Sequence, residues 1–406
     1  MPASFDLIVF GASGFTGQLV AQVLQSTCGS SSGFSWALAG RDANKLARVR
    51  QAIGAPASLP LLTADARQPQ ELRALVRQAR VVITTVGPYQ LHGEALVTAC
   101  AEAGTDYVDL CGEPLWMAKM IPLLQAPAAA SGARIVFSCG FDSIPFDLGV
   151  VFLQHAMQQR LGAFASQVRA RVRVMKGGFS GGTAASLLAT LQAIEHDPAL
   201  ARVMADPFAL TPGFRGPPQP SGEGAAFDDW AQSWSGPFVM AAINTKNVHR
   251  THALRGHPWG EAFSYDERLL TGTGLRGQAK AVALACQTWL QNGLLAQAAS
   301  RALIQRYALP QPGQGPSAAE REAGRYEVQF TGQSAAGERL AVVVKGDKDP
   351  GYGSTSKLLS ESALCLLHDV DHLATPGGVW TPGAAMGLAL VRRLQAHAGL
   401  SFEVQG

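Results

Sequence analysis

Residues 5–17, FDLIVFGASGFTG, decide the fold of this chain. The first six are mostly apolar and strand-forming, the next seven repeat glycine at every third position, and an apolar helical pattern follows at Leu19, Val20, Val23 and Leu24. A dinucleotide site needs this order of strand, glycine loop and helix. Its glycines allow a tight turn, an approach of the pyrophosphate to the backbone, and close packing of helix on strand. The sequence therefore predicts an N-terminal Rossmann domain.

The glycine loop has the spacing G-x-x-G-x-x-G, which departs from the commonest spacing, G-x-G-x-x-G. A glycine-rich turn without a ligand is the alternative interpretation, but the flanking strand and helix favour a binding site. We expect the cofactor phosphates to meet the loop amides and the positive end of the helix dipole. The residues assigned to this contact are Gly11, Ala12, Ser13, Gly14, Phe15, Thr16 and Gly17.

The end of the second predicted strand, residues 34–38, indicates which dinucleotide binds. Arg41 follows it, at the place where an NAD enzyme presents an acidic residue to the ribose. A guanidinium can pair with a 2′-phosphate at two points, whereas a carboxylate would repel it. We therefore predict NADP(H), with Lys45 as a second cation and Asp42 as an opposing charge. A solvated turn arginine is the alternative for Arg41.

Strand-like runs alternate with helical patterns up to residue 149, which predicts a doubly wound parallel sheet. The further strands are expected at residues 61–63, 81–86, 107–110 and 134–137. Ligands of such sheets lie beyond the carboxyl ends of the strands. This edge includes Gly112 and Glu113, and we assign cofactor contacts there to Asp65, Gly87, Pro88, Tyr89, Cys139, Gly140 and Asp142.

The pattern changes after Gly149, and the chain is long enough for a second core. Residues 1–149 are predicted to form the Rossmann domain, residues 150–374 an α+β domain for substrate binding and dimerisation, and residues 375–406 a helical segment that packs back on the Rossmann domain. A helix is expected at residues 150–159 and a strand at residues 168–174.

Two further stretches of the second half have distinct patterns. Apolar and charged residues alternate at 326–330 and 339–344, which predicts an antiparallel pair with one wet face. Pro, Gly and Ser dominate residues 207–236, so we predict a long irregular loop that covers the site. Residues 383–397 have a helical apolar pattern.

Composition narrows the partners and the location. The net charge is only +3 and no basic run occurs, so nucleic acid is not an expected partner. Six scattered cysteines without a C-x-x-C pair argue against disulfides and zinc and for a reducing cytosol. No signal pattern and no stretch of about 20 apolar residues is present. We expect a cytoplasmic protein, and leave open a homodimer and a peripheral contact with the inner membrane surface.

Several separate motifs resemble the saccharopine dehydrogenase-like oxidoreductases, and more closely the branch that includes the mycobacterial trans-acting enoyl reductases. In the first half these are residues 11–17 (GASGFTG), 85–89 (TVGPY), 107–109 with 112–113, and 139–145 (CGFDSIP). In the second half they are residues 177–183, 237–244, 263–267, 350–352 and 377–382. The resemblance implies a Rossmann domain, a nicotinamide cofactor, and a larger second domain that completes the site. The chain departs from the family at His249-Arg250-Thr251, where Arg-Arg-Ser is common.

Hydride transfer also needs a proton source near the reacting atoms. Tyr89 and His92 follow the fourth strand, close to the expected nicotinamide, with cofactor contact or helix capping as alternatives. Asp142 follows the sixth strand, where it could equally cap the next helix. Lys176 precedes Gly177-Gly178, which could form an anion hole or a flexible hairpin. We expect Cys139 to be a buried thiol rather than a nucleophile.

Three functions from different classes are compatible with these residues. The first is NADPH-dependent reduction of a carbon–carbon double bond in a small apolar, lipid-like or polyketide-like substrate. The second is a saccharopine-type amino-acid dehydrogenase that acts on an imine, and the third is a catalytically silent nucleotide-binding scaffold. An apolar groove would favour the first, and its expected walls are Trp230, Trp234, Phe238, Trp259 and Phe263. His249, His252 and His257 lack a nearby carboxylate or thiolate at ligand spacing, so no metal site is predicted.

Overall fold

The computed structural model describes residues 3–28, 33–177, 181–297 and 315–405. The strands within these ranges form two sheets, and strands and helices are numbered in chain order. One continuous apolar cluster includes buried side chains of both sheets, such as Val9 from the first and Phe330 from the second. The two sheets therefore share a core.

The first sheet consists of β1 (Phe5–Phe10), β2 (Trp36–Gly40), β3 (Leu61–Thr63), β4 (Ala79–Thr84), β5 (Asp106–Val108), β6 (Arg134–Val136) and β13 (Gly378–Trp380). Their order is β13-β6-β5-β4-β1-β2-β3, and every neighbouring pair is parallel. This order confirms the predicted doubly wound Rossmann sheet. The helices between its first six strands are α1 (Phe15–Cys28), α2 (Ala43–Ala52), α3 (Pro69–Val76), α4 (Tyr89–His92), α5 (Glu94–Ala103) and α6 (Pro114–Ser131).

The predicted strands of this sheet are confirmed, with shifts at their ends. Residues 61–63 form β3 as predicted, whereas the strand expected at 81–86 begins and ends two residues earlier. The strand expected at 107–110 ends at Val108. It ends there because the Asp109 carboxylate accepts a hydrogen bond from the amide of Cys111 at 3.0 Å, which turns the chain.

The second sheet is mixed and has the order β14-β12-β11-β7-β10-β9-β8. Its strands are β7 (Ala165–Lys176), β8 (Ala226–Asp228), β9 (Ser233–Pro237), β10 (Ser264–Gly272), β11 (Arg325–Ser334), β12 (Arg339–Gly346) and β14 (Leu400–Val404). β11 and β12 are antiparallel as predicted, and β11 alternates buried and more exposed residues along its length.

The helices of the second half connect these strands and return to the first sheet. They are α7 (Ile144–Leu161), α8 (Gly181–His196), α9 (Leu200–Ala205), α10 (Ala241–Leu254), α11 (Gly274–Ala296), α12 (Ala318–Ala323), α13 (Thr355–His368), α14 (Pro382–Ala385) and α15 (Gly387–His397), with a π-helical turn at Pro350–Ser354. The helix expected at 383–397 is thus divided at Met386. Across the described ranges, no helix is long and apolar enough to cross a membrane.

The prediction of one irregular loop over residues 207–236 is wrong in its second half, where β8 and β9 form an antiparallel hairpin. Asp228 stabilises the turn by accepting hydrogen bonds from the amides of Trp230 and Ala231 at 2.8 and 2.9 Å. The same carboxylate pairs with Arg171 of β7, a buried guanidinium. A long-range ion pair therefore orders a stretch whose composition resembles that of a loop.

The C-terminal segment returns to the first sheet through β13, which pairs with β6 and was not predicted as a strand. Arg134 of β6 forms a buried ion pair with Asp106 and also donates hydrogen bonds to the carbonyl oxygens of Leu366 and Val370, at 2.8 and 2.7 Å. These contacts hold the end of α13 beside the sheet. Helix α15 packs on α13 and α7.

Candidate functional site

The three glycines of the loop between β1 and α1 have different structural roles. Gly11 has φ +86°, and a Cβ there would lie 2.6 Å from Cγ2 of Val86. A Cβ on Gly17 would overlap the carbonyl oxygen of Gly11, so Gly17 lets α1 approach the turn. Gly14 is exposed, and a Cβ there would have only that carbonyl oxygen near it, at 3.3 Å. The turn and the packing require Gly11 and Gly17, and Gly14 leaves free space at the start of α1.

This free space fits a dinucleotide pyrophosphate, because backbone amides and the positive end of α1 converge there. Ala12 is buried, whereas Ser13, Phe15 and Thr16 are half-buried at the mouth of the loop. The second half of the chain covers this mouth: the ring of Tyr352 meets the ring of Phe15 edge-on at 4.6 Å between centroids.

The corner after β2 has unpaired positive charge. Arg41 is exposed, and within the described part of the chain its guanidinium has no hydrogen-bond or ion-pair partner. Asp42, the expected opposing charge, is the N-cap of α2, and its carboxylate accepts a hydrogen bond from the amide of Lys45 at 3.0 Å. This carboxylate caps the helix, so it does not pair with the guanidinium of Arg41, and the exposed Lys45 side chain is a second cation at this corner.

Asp65 lies at the same corner and is also neutralised. Its carboxylate pairs with Arg67 at 2.7 Å. This hydrogen-bonded partner, with a smaller contribution from Arg41, holds the pKa of Asp65 far below its usual range. Sequence reasoning missed Arg67, because a residue two positions after the strand end carries no motif of its own.

Tyr89 lies inside the sheet edge rather than on its surface. Its hydroxyl donates to the carbonyl oxygen of Thr84 at 3.2 Å and accepts from the amide of Leu110 at 3.3 Å. Burial raises the pKa of this phenol well above its ordinary value. Tyr89 therefore joins the ends of β4 and β5, beside the half-exposed loop of Gly87 and Pro88.

Glu113 has a role that sequence reasoning did not assign. Its buried carboxylate accepts hydrogen bonds from the amides of Tyr89 and Gln90 at 2.8 and 2.9 Å, and from the hydroxyl of Ser186 at 2.6 Å. It thus satisfies two free amides at the start of α4 and links them to α8 of the second half. The signal was an acid directly after a strand-end glycine, but its partners are far away in sequence.

Asp109 organises the neighbouring loops. Its carboxylate accepts hydrogen bonds from the Tyr107 hydroxyl at 2.9 Å and from the amides of Cys111 and Ser138 at 3.0 and 2.9 Å. Burial raises the pKa of this carboxyl to about 7. The loops after β5 and β6 are therefore fixed to each other by one buried side chain.

Asp142 is the exception along this edge. Within the described residues its carboxylate makes no hydrogen bond, and its Oδ2 lies 3.9 Å from where a Cβ on Gly112 would stand. It is half-buried, and desolvation raises its pKa to about 6. The helix cap predicted as its alternative is not made: Ser143 is the N-cap residue of α7, and its hydroxyl accepts a hydrogen bond from Asn247 at 2.7 Å. Asp142 therefore has no hydrogen-bond partner among the described residues, in contrast to Asp109 and Glu113.

The remaining predicted residues lie in different settings. His92 is exposed at the end of α4, and Lys176 is exposed at the end of β7, opposite Arg325. The proposed anion hole beside Lys176 includes Gly178, which lies outside the described residues. Cys139 is fully buried, as expected, and burial raises the pKa of its thiol well above the ordinary value. Gly140 packs closely, since a Cβ there would lie 3.2 Å from Cβ of Leu110.

Known proteins resemble the chain from end to end. The model of the saccharopine dehydrogenase NADP binding domain matches residues 7–136. A Mycobacterium tuberculosis protein provisionally named a trans-acting enoyl reductase is 41% identical over 414 residues, which cover 99% of this chain and 98% of that protein. The trans-acting enoyl reductase of Mycobacterium bovis is 37% identical over 404 residues, which cover 96% and 95%. This chain belongs to the trans-acting enoyl reductase branch of the saccharopine dehydrogenase-like oxidoreductases.

As a member of this family the chain is an oxidoreductase with an NADP(H)-binding domain, which confirms the resemblance noted in its motifs. The apo saccharopine dehydrogenase (L-Glu forming) of Saccharomyces cerevisiae has the same fold, with a TM-score of 0.55, 10% identity, and coverage of 98% of this chain and 99% of that one. When bound, the NADP(H) of this oxidoreductase would be held by the glycine loop and the Arg41 corner.

His249, Arg250 and Thr251, which stand where the family commonly has Arg-Arg-Ser, lie in the interior of the protein. Arg250 is buried and donates hydrogen bonds to the carbonyl oxygens of Leu210 and Val379, both at 2.7 Å. Burial lowers the pKa of His249 to about 3, and its ring packs on Phe208 at 4.6 Å. In this family member the stretch therefore joins α10 to β13 and the chain around Leu210.

The five aromatic residues expected to line one groove do not lie together, so that prediction is wrong; only Trp259 and Phe263 contact each other, at 4.9 Å between ring centroids, and both are buried in the interior. Trp230 lies between the guanidinium groups of Arg169 and Arg339, 3.9 and 4.4 Å from its ring centre. Trp259 stacks on His252 at 4.8 Å in the interior. Trp234 packs against Phe227 and Phe238 against Phe146, away from that interior pair. These aromatic residues are close in the sequence, but cation–π pairs and core packing place Trp230, Trp234 and Phe238 in different surroundings.

Proposed function

We propose that this protein uses NADPH to reduce a carbon–carbon double bond in an apolar, lipid-like or polyketide-like substrate. The observation that carries the proposal is the identity of 37–41%, over nearly the whole chain, to proteins named trans-acting enoyl reductases. The character of the site supports it. Where the second half meets the loops after β4, β5 and β6, hydrogen bonds are made by the uncharged side chains of Ser186, Thr190 and Asn247.

Different residues of the chain would have different roles in such a reaction. Bound NADPH supplies a hydride to one carbon of the double bond. The amides of the glycine loop and the start of α1 would hold the pyrophosphate, and Arg41 would hold the 2′-phosphate. Glu113 positions α4 against α8, which fixes the loop beside the nicotinamide half. The second carbon then needs a proton, and Asp142 holds it.

Asp142 is the proton donor we favour among the four predicted residues. A carboxyl with a pKa of about 6 remains partly protonated near neutrality, and general acids work best when their pKa is close to the working pH. The Tyr89 hydroxyl is committed to Thr84 and Leu110, which suits a positioning residue. His92 and Lys176 are exposed, away from any buried partner, and are the alternatives if Asp142 fails.

The test is a substrate panel at one pH, in which NADPH oxidation is measured with α,β-unsaturated acyl thioesters and, in parallel, with saccharopine and with lysine plus 2-oxoglutarate. We expect turnover in the unsaturated set and none in the amino-acid set. Turnover confined to the amino acids would establish the imine dehydrogenase instead. Turnover of neither set, despite tight NADPH binding, would favour the scaffold.

A further inference from the structure

Helix α11 has an exposed apolar side. Its inner side packs on β9 and β10, where Ala281 is buried and a Cβ on Gly236 would lie 2.8 Å from Cδ2 of Leu284. On the outer side, Leu275 is 84% exposed and Trp289 is 78% exposed. Val282 stands halfway between these two and is also exposed. A spacing of seven residues returns a side chain to nearly the same helical face, so the three form one line.

Further apolar side chains lie on both edges of this line. Leu290, beside Trp289, is 55% exposed. Trp234 lies two residues before Gly236 and so faces the same side of the sheet as α11, and its strand partner Phe227 is half-exposed. We name Leu275, Val282, Trp289, Leu290 and Phe227 the α11 patch. In the described ranges, nothing covers it.

The charges on α11 have one sign. No Asp or Glu occurs between Glu267 and Glu320. Within α11 itself the charged residues are Arg276 and Lys280, and both are exposed. Helix α11 therefore combines large apolar groups with basic groups and carries no carboxylate. At the other edge of the patch, the carboxylates of Asp228 and Asp229 beside Phe227 pair with Arg171 and Arg169.

We propose that the α11 patch docks this protein on an anionic lipid bilayer. Helices that lie in a membrane interface present Leu and Trp on one side with Lys or Arg nearby, and tryptophan favours the interface itself. At about 34 Å, a helix of this length can lie flat across many headgroups. Lipid phosphates would pair with Arg276 and Lys280, and the acyl boundary would take Trp289 and Leu290.

A second copy of the chain fits the α11 patch less well than an anionic bilayer does. A symmetric dimer through this face would bring together two segments that both lack acids, so Arg276 and Lys280 would find no carboxylate on the facing α11. An anionic bilayer supplies the missing negative charge. The proposal does not depend on the substrate of the enzyme.

The test is co-sedimentation of the full chain with vesicles of phosphatidylcholine alone and of phosphatidylcholine mixed with phosphatidylglycerol in equal parts. We expect binding to the mixed vesicles, weakened by added salt, and little binding to the neutral ones. The double variant W289S/L290S should bind at least tenfold more weakly. Its matched control is Leu373→Ser, because Leu373 is 95% exposed outside the patch, and this variant should bind as the unaltered protein does.

Charge is tested separately. Arg276→Glu and Lys280→Glu should each weaken binding to the mixed vesicles by about fivefold or more, while Arg392→Glu, on the exposed side of α15, should not. NADPH affinity should be unchanged in all variants, which verifies that they fold. The proposal is overturned if the unaltered protein does not bind the mixed vesicles, or if W289S/L290S binds them equally well. A dimer in solution that W289S/L290S dissociates would also overturn it.

Discussion

The two sides of the Rossmann sheet edge are built in different ways. On the side of β1 and β2, Gly14 faces free space and Arg41 has no partner among the described residues. On the side of β4, β5 and β6, Tyr89, Asp109 and Glu113 are buried and hydrogen-bonded, and each joins two or more elements. The first side therefore has space and an unpaired cation that a ligand can contact. On the second side, the polar groups of Tyr89, Asp109 and Glu113 are paired within the protein.

Because of this difference, we expect substitutions on the two sides to have different effects. Substitutions of Gly14 and Arg41 on the open side should weaken NADPH binding and leave the fold intact, because neither side chain position contacts a native partner that would be lost. Changes on the closed side should reduce stability, because a buried partner is left unpaired. Asp142 is the exception, since it lies on the closed side without a partner of its own.

The largest effect should come from Gly14→Val on the open side. The branched side chain would occupy the space where the pyrophosphate approaches the backbone, so NADPH binding should be abolished while the protein stays folded. Calorimetric titration and thermal unfolding measure the two effects. Gly17→Val is the matched control, because its side chain would overlap the Gly11 carbonyl and should damage the fold. Retained NADPH binding by Gly14→Val would remove the site assignment.

Asp142→Asn should reduce kcat by about 100- to 10,000-fold with NADPH affinity unchanged, because only the proton donor is lost. The pH profile sharpens the test. Proton donation needs the protonated carboxyl, whose pKa is raised to about 6, so kcat of the unaltered enzyme should fall as the pH rises above about 6. The fall should vanish in the variant. A variant with the same fall would transfer the role to another group.

Arg41→Ala should weaken NADPH binding by about 1 to 3 kcal/mol and leave NADH binding unchanged, since a charge-assisted contact to the 2′-phosphate is removed. Parallel titrations with both dinucleotides measure this difference. Arg48→Ala, which changes another exposed arginine within α2, is the comparison variant. Equal affinity of the unaltered protein for NADH and NADPH would contradict the assignment of Arg41.

Glu113→Gln should lower the free energy of unfolding by about 1 to 3 kcal/mol, because an amide group cannot accept all three hydrogen bonds that the carboxylate takes. Urea unfolding provides the measurement. Ser186→Ala removes only one of these donors and should cost about 1 kcal/mol. If Glu113→Gln were as stable as the unaltered protein, the closed side would not depend on this carboxylate.

Sequence predicted the local structure of the open side well because its determinants are consecutive in the chain, whereas the cofactor contacts assigned there stay predictions. Strand β1, the glycine loop and α1 are consecutive, and Arg41 directly follows β2. The antiparallel pair β11 and β12 was likewise predictable from its alternation. The closed side depends on partners that periodicity cannot reveal: Glu113 meets Ser186, and Arg134 meets the carbonyl of Leu366. Strand β13 was missed for the same reason, since three residues carry no pattern without β6 beside them.

We propose that this chain moves a hydride from NADPH to a carbon of an unsaturated apolar substrate. The decisive measurement is turnover of an α,β-unsaturated acyl thioester with NADPH deuterated at the transferred position, followed by mass spectrometry of the product. We expect a saturated acyl product that carries a single deuterium on carbon. A deuterium found instead in an amino-acid product, from lysine and 2-oxoglutarate, would contradict it.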